Sequence, residues 1–314
     1  MTLFISNFNK MKRALLYFLI GIASLFCVDV ACGIIFRKLL KTLPENETFL
    51  SYMYQNLFKK ESEVLIIGAS QVKYGYDTDV FSEILNKKCY NAGWAGYGLL
   101  YYQVIIDATI KRHKPELILI DINEPYLSGM YKFQNTKMKC WYDISPSVKE
   151  CMDQNSTLIE RLKLKSNLYK YNRTTQQIIR TYNISISHPN GYEALHGVLE
   201  QKRPSISNTF QLDSTELTIF ENIVSLARKN GITLVVSQAP SFSYDTKYNT
   251  WWSSYLKEHK IAFLNHSTDT FFMRRPYLFS DRWHLNQEGA KSYSEILAKK
   301  CRDILSAKHE SKNQ

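Results

Sequence analysis

The sequence predicts an α/β fold built on a parallel sheet, and three observations predict it. Short unbroken apolar runs, rich in Ile, Val and Leu, recur at Val64–Ile67, Leu117–Ile120 and Ile232–Ser237. Such runs fit strands buried on both faces. Between them lie stretches with helical apolar spacing, and alternating strands and helices give a parallel sheet with helices on both faces. The runs end in small or polar residues: Gly68-Ala69-Ser70, then Asp121 with Asn123 and Glu124, then Gln238-Ala239-Pro240. That is the edge at which open α/β sheets bind ligands.

In chain order, residues 1–13 form a short tail that closes on Lys10, Lys12 and Arg13. Residues 14–36 follow, with Asp29 as their single charge. As a helix this run reaches about 34 Å, enough to cross a bilayer core. Arg37, Lys38 and Lys41 close it, so positive charge is balanced on the two sides and does not set orientation. A short tail kept inside is the commoner arrangement, which puts the following domain outside the cytoplasm. The apolar run is long for a signal peptide and no A-x-A site follows it. Asp29 is costly in lipid. Either it meets a partner membrane protein, or the span ends near Val28 and Asp29 is interfacial. Residues 37–60 are expected to be a polar spacer that docks on the domain, with Phe49, Tyr52 and Tyr54 near the lipid headgroups.

The domain is expected over residues 61–305. Its first strand, Val64–Ile67, turns sharply through Gly68 and Ala69 into a helix, and Asp77–Leu85 reads as another. Lys88–Asn91 reads as a second strand, ending in Asn91-Ala92-Gly93. Gly96 and Gly98 extend that turn, where close backbone approach to a substrate is the use that fits. Leu99–His113 is helical in spacing and stops at Lys114-Pro115. The third strand, Leu117–Ile120, precedes Asp121. Residues 126–214 then interrupt the alternation with a polar insertion holding expected helices at Leu158–Tyr171 and Thr174–Tyr182. Its length suggests a lid or substrate-binding region. Tyr169, Tyr171, Tyr182 and Tyr192 are candidates to stack on sugar rings, or to pack the insertion onto the core. Alternation resumes with a helix at Thr215–Asn230 closed by Gly231. A fourth strand, Ile232–Ser237, a helix at Thr250–His259, a fifth strand at Ile261–Leu264 and a closing helix at Asn286–Ile304 follow. Residues 306–314 are expected to be a disordered tail.

Composition narrows the function classes. The chain is 45% hydrophobic and 22% charged, with a net charge of +11. The basic excess is spread out, with no Arg-rich helix or RNA-binding motif, so a nucleic-acid partner is not expected and an anionic envelope surface is. No G-x-G-x-x-G or P-loop lysine is present, so no nucleotide cofactor is expected. Six cysteines occur without a C-x-x-C, which argues against zinc and thioredoxin-like chemistry; no metal is expected. Cys27 and Cys32 lie in the membrane segment. Cys140 and Cys151 are close enough in sequence for a loop-closing disulfide in an oxidising compartment.

Ser70, after the first strand, sits where a nucleophile is useful; alone it equally fits a helix N-cap. Asp281 and His284, three apart before the closing helix, can supply a base and the carboxylate that holds its tautomer. Alone they fit an aspartate cap and a surface histidine. His266 and Asp269 form a second pair in the reverse order, expected to be non-catalytic.

Taken together, four short blocks resemble those of the SGNH, or GDSL-type, hydrolase superfamily. Gly68-Ala69-Ser70 resembles the first, Asn91-Ala92-Gly93 the second, Asp121-Ile122-Asn123-Glu124 the third and Asp281-Arg282-Trp283-His284 the last. Ala69 replaces the usual Asp before the serine, and Asp121 replaces the usual Gly of the third block. The resemblance implies a five-stranded flavodoxin-like sheet and a catalytic Ser70, His284 and Asp281. It also implies an oxyanion hole from the N–H groups of Ser70 and Gly93 and the side chain of Asn123. Membrane-anchored members of bacterial envelopes are similar in layout. An esterase or O-acyltransferase acting on acyl groups, with acetyl the expected one, of a cell-surface glycan is therefore implied. The alternative is a non-catalytic accessory that binds acylated glycan or partners a membrane acyltransferase.

Overall fold

A computed structural model describes residues 2–122, 124–129, 132–199, 211–242 and 249–313. Its centre is a five-stranded, wholly parallel sheet in the order β2-β1-β3-β4-β5. The strands are β1 (Val64–Ile67), β2 (Cys89–Asn91), β3 (Leu117–Asp121), β4 (Thr233–Gln238) and β5 (Ala262–Asn265). β1 aligns Val64 with Cys89 on one side and with Leu117 on the other. This order places a topological switch between β1 and β3, the crevice where doubly wound sheets bind their ligands.

Alternate strand residues feed two cores. Val64, Ile66, Leu117, Leu119 and Val235 face one side. There they meet α4 (Thr78–Leu85) and α14 (Gln287–Asn313) through Phe81, Leu85, Tyr293, Leu297 and Leu305. Leu65, Ile67, Ile118, Ile120 and Val236 face the other. There they meet α5 (Leu99–Arg112), α11 (Ser214–Lys229) and α12 (Asn249–Glu258). Burial on both faces is why these strands lack polar alternation. Helix ends follow local chemistry: Asp77 accepts from Asp79 N–H to start α4, and Asp213 accepts from Thr215 and Glu216 N–H to start α11. Gly231 follows α11 at φ +66°, the left-handed turn that glycine adopts without strain.

The chain before the sheet departs from expectation. α1 is one helix, Thr2–Leu40. Between Lys10 and Leu40 it is long and apolar enough to cross a membrane, and an 18-residue stretch within it has a mean hydropathy of 2.4. The expected spacer contains α2 (Phe49–Phe58), whose Leu50, Met53 and Leu57 are core residues. Tyr52 does not lie free for headgroups. It is 7% exposed, its hydroxyl donates to Asn91 O, and its ring lies 4.7 Å from that of Trp94.

Between β3 and β4 the described chain forms α6 (Glu124–Leu127), a 3-10 segment (Lys132–Trp141), α7 (Pro146–Asn155), α8 (Leu158–Lys163), α9 (Asn167–Lys170) and α10 (Thr174–Asn183). The single helix expected over Leu158–Tyr171 is split, because Leu164 ends α8 and Ser166 caps α9 by accepting from Tyr169 N–H. Tyr171 is buried and stacks on Phe36, so it is not open to a sugar, while Tyr192 is half-buried against the core. Cys140 and Cys151 are free thiols rather than a disulfide, and burial pushes each up to about 12. The expected loose tail is instead the last turns of α14, tied down where Lys308 donates to Gly231 O and to Thr233 Oγ1. A four-residue helix, α13 (Thr270–Met273), follows β5.

Candidate active site

Three side chains converge at the carboxyl edge of the sheet. β1 ends at Ile67, and α3 (Ser70–Gly75) begins at Ser70 itself. The turn is tight because Gly68 lies under the helix: a Cβ there would come within 2.3 Å of Val72 Cγ2. On the far side of the sequence, Phe279 and Leu285 pair in an antiparallel bridge and pinch residues 280–284 into a turn. Asp281 Oδ1 accepts from the N–H groups of Trp283 (2.7 Å) and His284 (3.0 Å), which sets the histidine ring beside the carboxylate.

His284 Nδ1 lies 2.9 Å from Asp281 Oδ2 and 3.0 Å from Oδ1, and His284 Nε2 lies 2.8 Å from Ser70 Oγ. A carboxylate only accepts, so Nδ1 carries the proton and Nε2 is left as acceptor for the Ser70 hydroxyl. The His284 side chain is 18% exposed and that of Asp281 49%. Burial alone would raise the Asp281 carboxyl, but the hydrogen bond and charge of His284, with the two N–H donors, hold it below its usual value. The Tyr74 ring meets His284 edge-on at 5.6 Å and restricts the imidazole from a further side.

The candidate oxyanion donors fare differently. Ser70 opens α3, where the first N–H groups have no carbonyl a turn earlier to bond. Gly93 packs against the same helix turn, since a Cβ there would come within 2.7 Å of Lys73 N. Its N–H, however, donates to Asn91 Oδ1 at 2.9 Å. To serve an oxyanion it must leave or share that bond. Asn123 lies outside the described residues.

Asn91 is a residue whose positioning role the sequence reading did not single out. Fully buried, it donates from Nδ2 to Val72 O (2.7 Å) and Tyr76 O (3.0 Å) while accepting from Gly93. One amide thus ties the end of β2 to the carbonyls of the helix that carries Ser70. Its place at the end of a strand, just before two small residues, was the available signal. Asp121, the unusual first residue of its block, does not face the serine. Its carboxylate turns into the core, where Tyr76 donates to it at 2.6 Å and Ala239 N–H at 2.9 Å. Burial pushes this carboxyl up to about 6, against those two hydrogen bonds. Among the described residues its second oxygen meets no donor.

A strap from the insertion borders the site. Glu193 N–H donates to Lys73 O, Leu199 N–H to Phe279 O, and Ser280 Oγ to His196 O. Gly191 is needed in this strap, since at φ +82° a Cβ would come within 1.8 Å of Asn91 O. Among the described residues Glu47, His188 and Glu193 gather their ligand atoms within 4.8 Å. Lys73 Nζ already pairs with Glu193 at 2.8 Å, so a cationic group fills that corner.

The chain matches no protein-family model and no curated protein. Solved structures show distant likeness. One is a proposed lipolytic protein of the G-D-S-L family from Desulfitobacterium hafniense DCB-2, 15% identical, over 76% of this chain and 98% of that one, with a TM-score of 0.38. A second is a proposed acylhydrolase from Bacteroides fragilis NCTC 9343, 12% identical, over 86% and 95%, with a TM-score of 0.38. A third is a proposed platelet activating factor from Streptococcus pneumonia, 14% identical, over 91% and 99%, with a TM-score of 0.39. The domain itself is an α/β fold on a five-stranded parallel sheet, with Ser70, His284 and Asp281 meeting at one sheet edge.

Proposed function

We propose that the protein is a serine esterase or O-acyltransferase anchored by α1, acting on acyl esters, acetyl foremost, of a cell-surface glycan. The observation that carries this reading is the 2.8 Å contact from Ser70 Oγ to His284 Nε2, with Asp281 behind the ring. Ser70 Oγ attacks the ester carbonyl as its proton passes to Nε2. The carbonyl oxygen becomes an oxyanion that the Ser70 N–H is placed to meet, with Gly93 N–H joining once it turns from Asn91. Collapse breaks the ester C–O bond, and His284 returns the proton to the departing sugar oxygen. The acyl group then sits on Ser70. Water, or a second sugar hydroxyl, gives a proton to His284 and takes the acyl group, restoring the serine. Asp281 holds the Nδ1–H tautomer and stabilises the imidazolium formed in each half. A glycan suits the polar insertion and the spread of basic charge, and an extracytoplasmic domain is the placement that goes with such a substrate.

The test is fluorophosphonate labelling of the full-length chain in detergent. Label on the wild type that is absent from Ser70→Ala and His284→Ala supports an activated serine. Turnover of p-nitrophenyl acetate with added sugar acceptors then separates hydrolysis from transfer. A folded wild type that takes no label overturns the catalytic reading and favours an accessory that binds acylated glycan.

A further inference from the structure

The structure assigns Asp29 a partner, and that partner is the protein's own insertion. Asp29 Oδ1 accepts from Ser166 Oγ (2.7 Å) and Leu168 N–H (2.9 Å), and Oδ2 accepts from Asn167 N–H and Nδ2 (both 3.0 Å). The fit is close, since a Cβ on Gly33 would come within 2.5 Å of the Asn167 side chain. Phe36 stacks on Tyr171 at 5.1 Å, and Arg37 donates to Asn167 Oδ1 and Asp143. So α9 and the flanking Tyr171 pack on α1 between Asp29 and Arg37, about 12 Å of its length.

This contact conflicts with a bilayer that ends below Asp29. From Ala14 to Val28 the side chains of α1 are bare, but that stretch is only about 22 Å long, short of the roughly 30 Å of a hydrocarbon core. Arg13 and Lys12 bound it on the other side. The core must therefore extend past Asp29 toward Phe36, over the stretch that α9 covers. The four hydrogen bonds to Asp29 make the carboxylate tolerable there. Beside it the insertion exposes large apolar side chains: Leu158 (66%), Ile159 (65%) and Leu162 (55%) on one face of α8, and Leu168 (44%) next to Asp29. Exposed Arg161, Lys163 and Lys165 flank them. Apolar residues beside basic ones make up the pattern of an interfacial helix on an anionic leaflet.

We propose that α8 and the start of α9 are a lipid-seated foot. Leu158, Ile159, Leu162 and Leu168 enter the outer acyl region of the bilayer that α1 crosses, and Arg161, Lys163 and Lys165 meet anionic headgroups. The foot, with the Asp29 clasp, fixes how the domain stands on the membrane. This rests on α1 being the membrane anchor.

The experiment reconstitutes the full-length chain in vesicles of phosphatidylcholine and phosphatidylglycerol, with and without bromine on shallow acyl carbons. Leu162→Trp and Leu168→Trp report the foot; Tyr17→Trp reports the span, with deep bromines. α1 has no native tryptophan, so the wild type supplies the background from the domain. Quenching of all three added tryptophans above that background is expected, with weaker quenching at Leu162→Trp once Lys163→Glu and Lys165→Glu are added. Quenching of Tyr17→Trp alone overturns the foot while the anchor stands. Emission at positions 162 and 168 that is shielded from water yet unquenched also overturns it, and means that a second copy of the chain covers α8. Loss of quenching at all three overturns the anchor and the foot together.

Discussion

Two histidines in this chain each hold an aspartate three residues away, at the same edge of the same sheet. His284 Nδ1 is 2.9 Å from Asp281, and His266 Nδ1 is 3.1 Å from Asp269. Their side chains are about equally covered, at 18% and 15% exposure. The pairs differ in what lies beyond the ring. His284 presents Nε2 to Ser70 Oγ, whereas His266 lies edge-on to the Tyr293 ring at 5.6 Å. The aspartates also differ in their second task. Asp281 holds its own turn closed through Trp283 and His284 N–H, while Asp269 caps α13 through Phe271 N–H. A histidine–carboxylate pair is therefore a local turn device, and it becomes a base only when the fold delivers a hydroxyl to the other nitrogen.

The comparison breaks first at Ser70. Ser70→Ala and His284→Ala should each lower ester turnover by about 10^4-fold or more, measured as initial rates on p-nitrophenyl acetate. Under the same assay His266→Ala should stay within about twofold of the wild type, since its ring touches no candidate reacting atom. A loss at position 266 equal to that at 284 would erase the distinction. Next comes Asp281→Asn, expected to cost about 10^2- to 10^4-fold, because an amide can leave the imidazole in the wrong tautomer.

Stability sharpens the contrast further. Asp121 is charged only at a cost, with its folded value pushed up to about 6 from an ordinary 3.8. Between those values the folded state keeps a proton that the unfolded chain has released. Stability therefore falls as pH rises through that window, by about 3 kcal/mol in all, and is flat above it. Asp121→Asn should remove the slope, read from urea midpoints at pH 4 and pH 7. The smallest effect is at Asp269→Ala, which should cost about 1 kcal/mol by uncapping α13 and leave turnover unchanged. The equivalent change at Asp281 would lower turnover as well.

Much of the frame was legible in short stretches. β1 falls on Val64–Ile67 as its apolar run predicts, and the other strands and, apart from the closing helix, the long helices of the domain shift by only a residue or so at their ends. Their signals are local: β-branched runs, aspartate caps and glycine stops act through neighbours in sequence. The helix within the expected spacer was hidden because α2 mixes polar and apolar residues without a strong stripe; it is stabilised by burial against α5 and α10. The closing helix outran its apolar pattern for a similar reason, since Lys308 bonds to backbone from another part of the chain. Asp121 carried no sign of its direction, and only the pleat of β3 turns it toward Tyr76.

By itself the sequence determined the strands, the small-residue turn that exposes Ser70, the Asp281–His284 turn and an apolar helix with one acid in it. These depend on interactions within a few residues, which composition and spacing encode directly. Tertiary structure alone brought His284, the histidine that the sequence blocks favoured, to the serine across 214 residues of chain. It also decided that Asn91 clamps α3 and that Asp29 is answered by Ser166, Asn167 and Leu168. Those outcomes are pairings between distant segments, and no local pattern records a partner that only packing brings near.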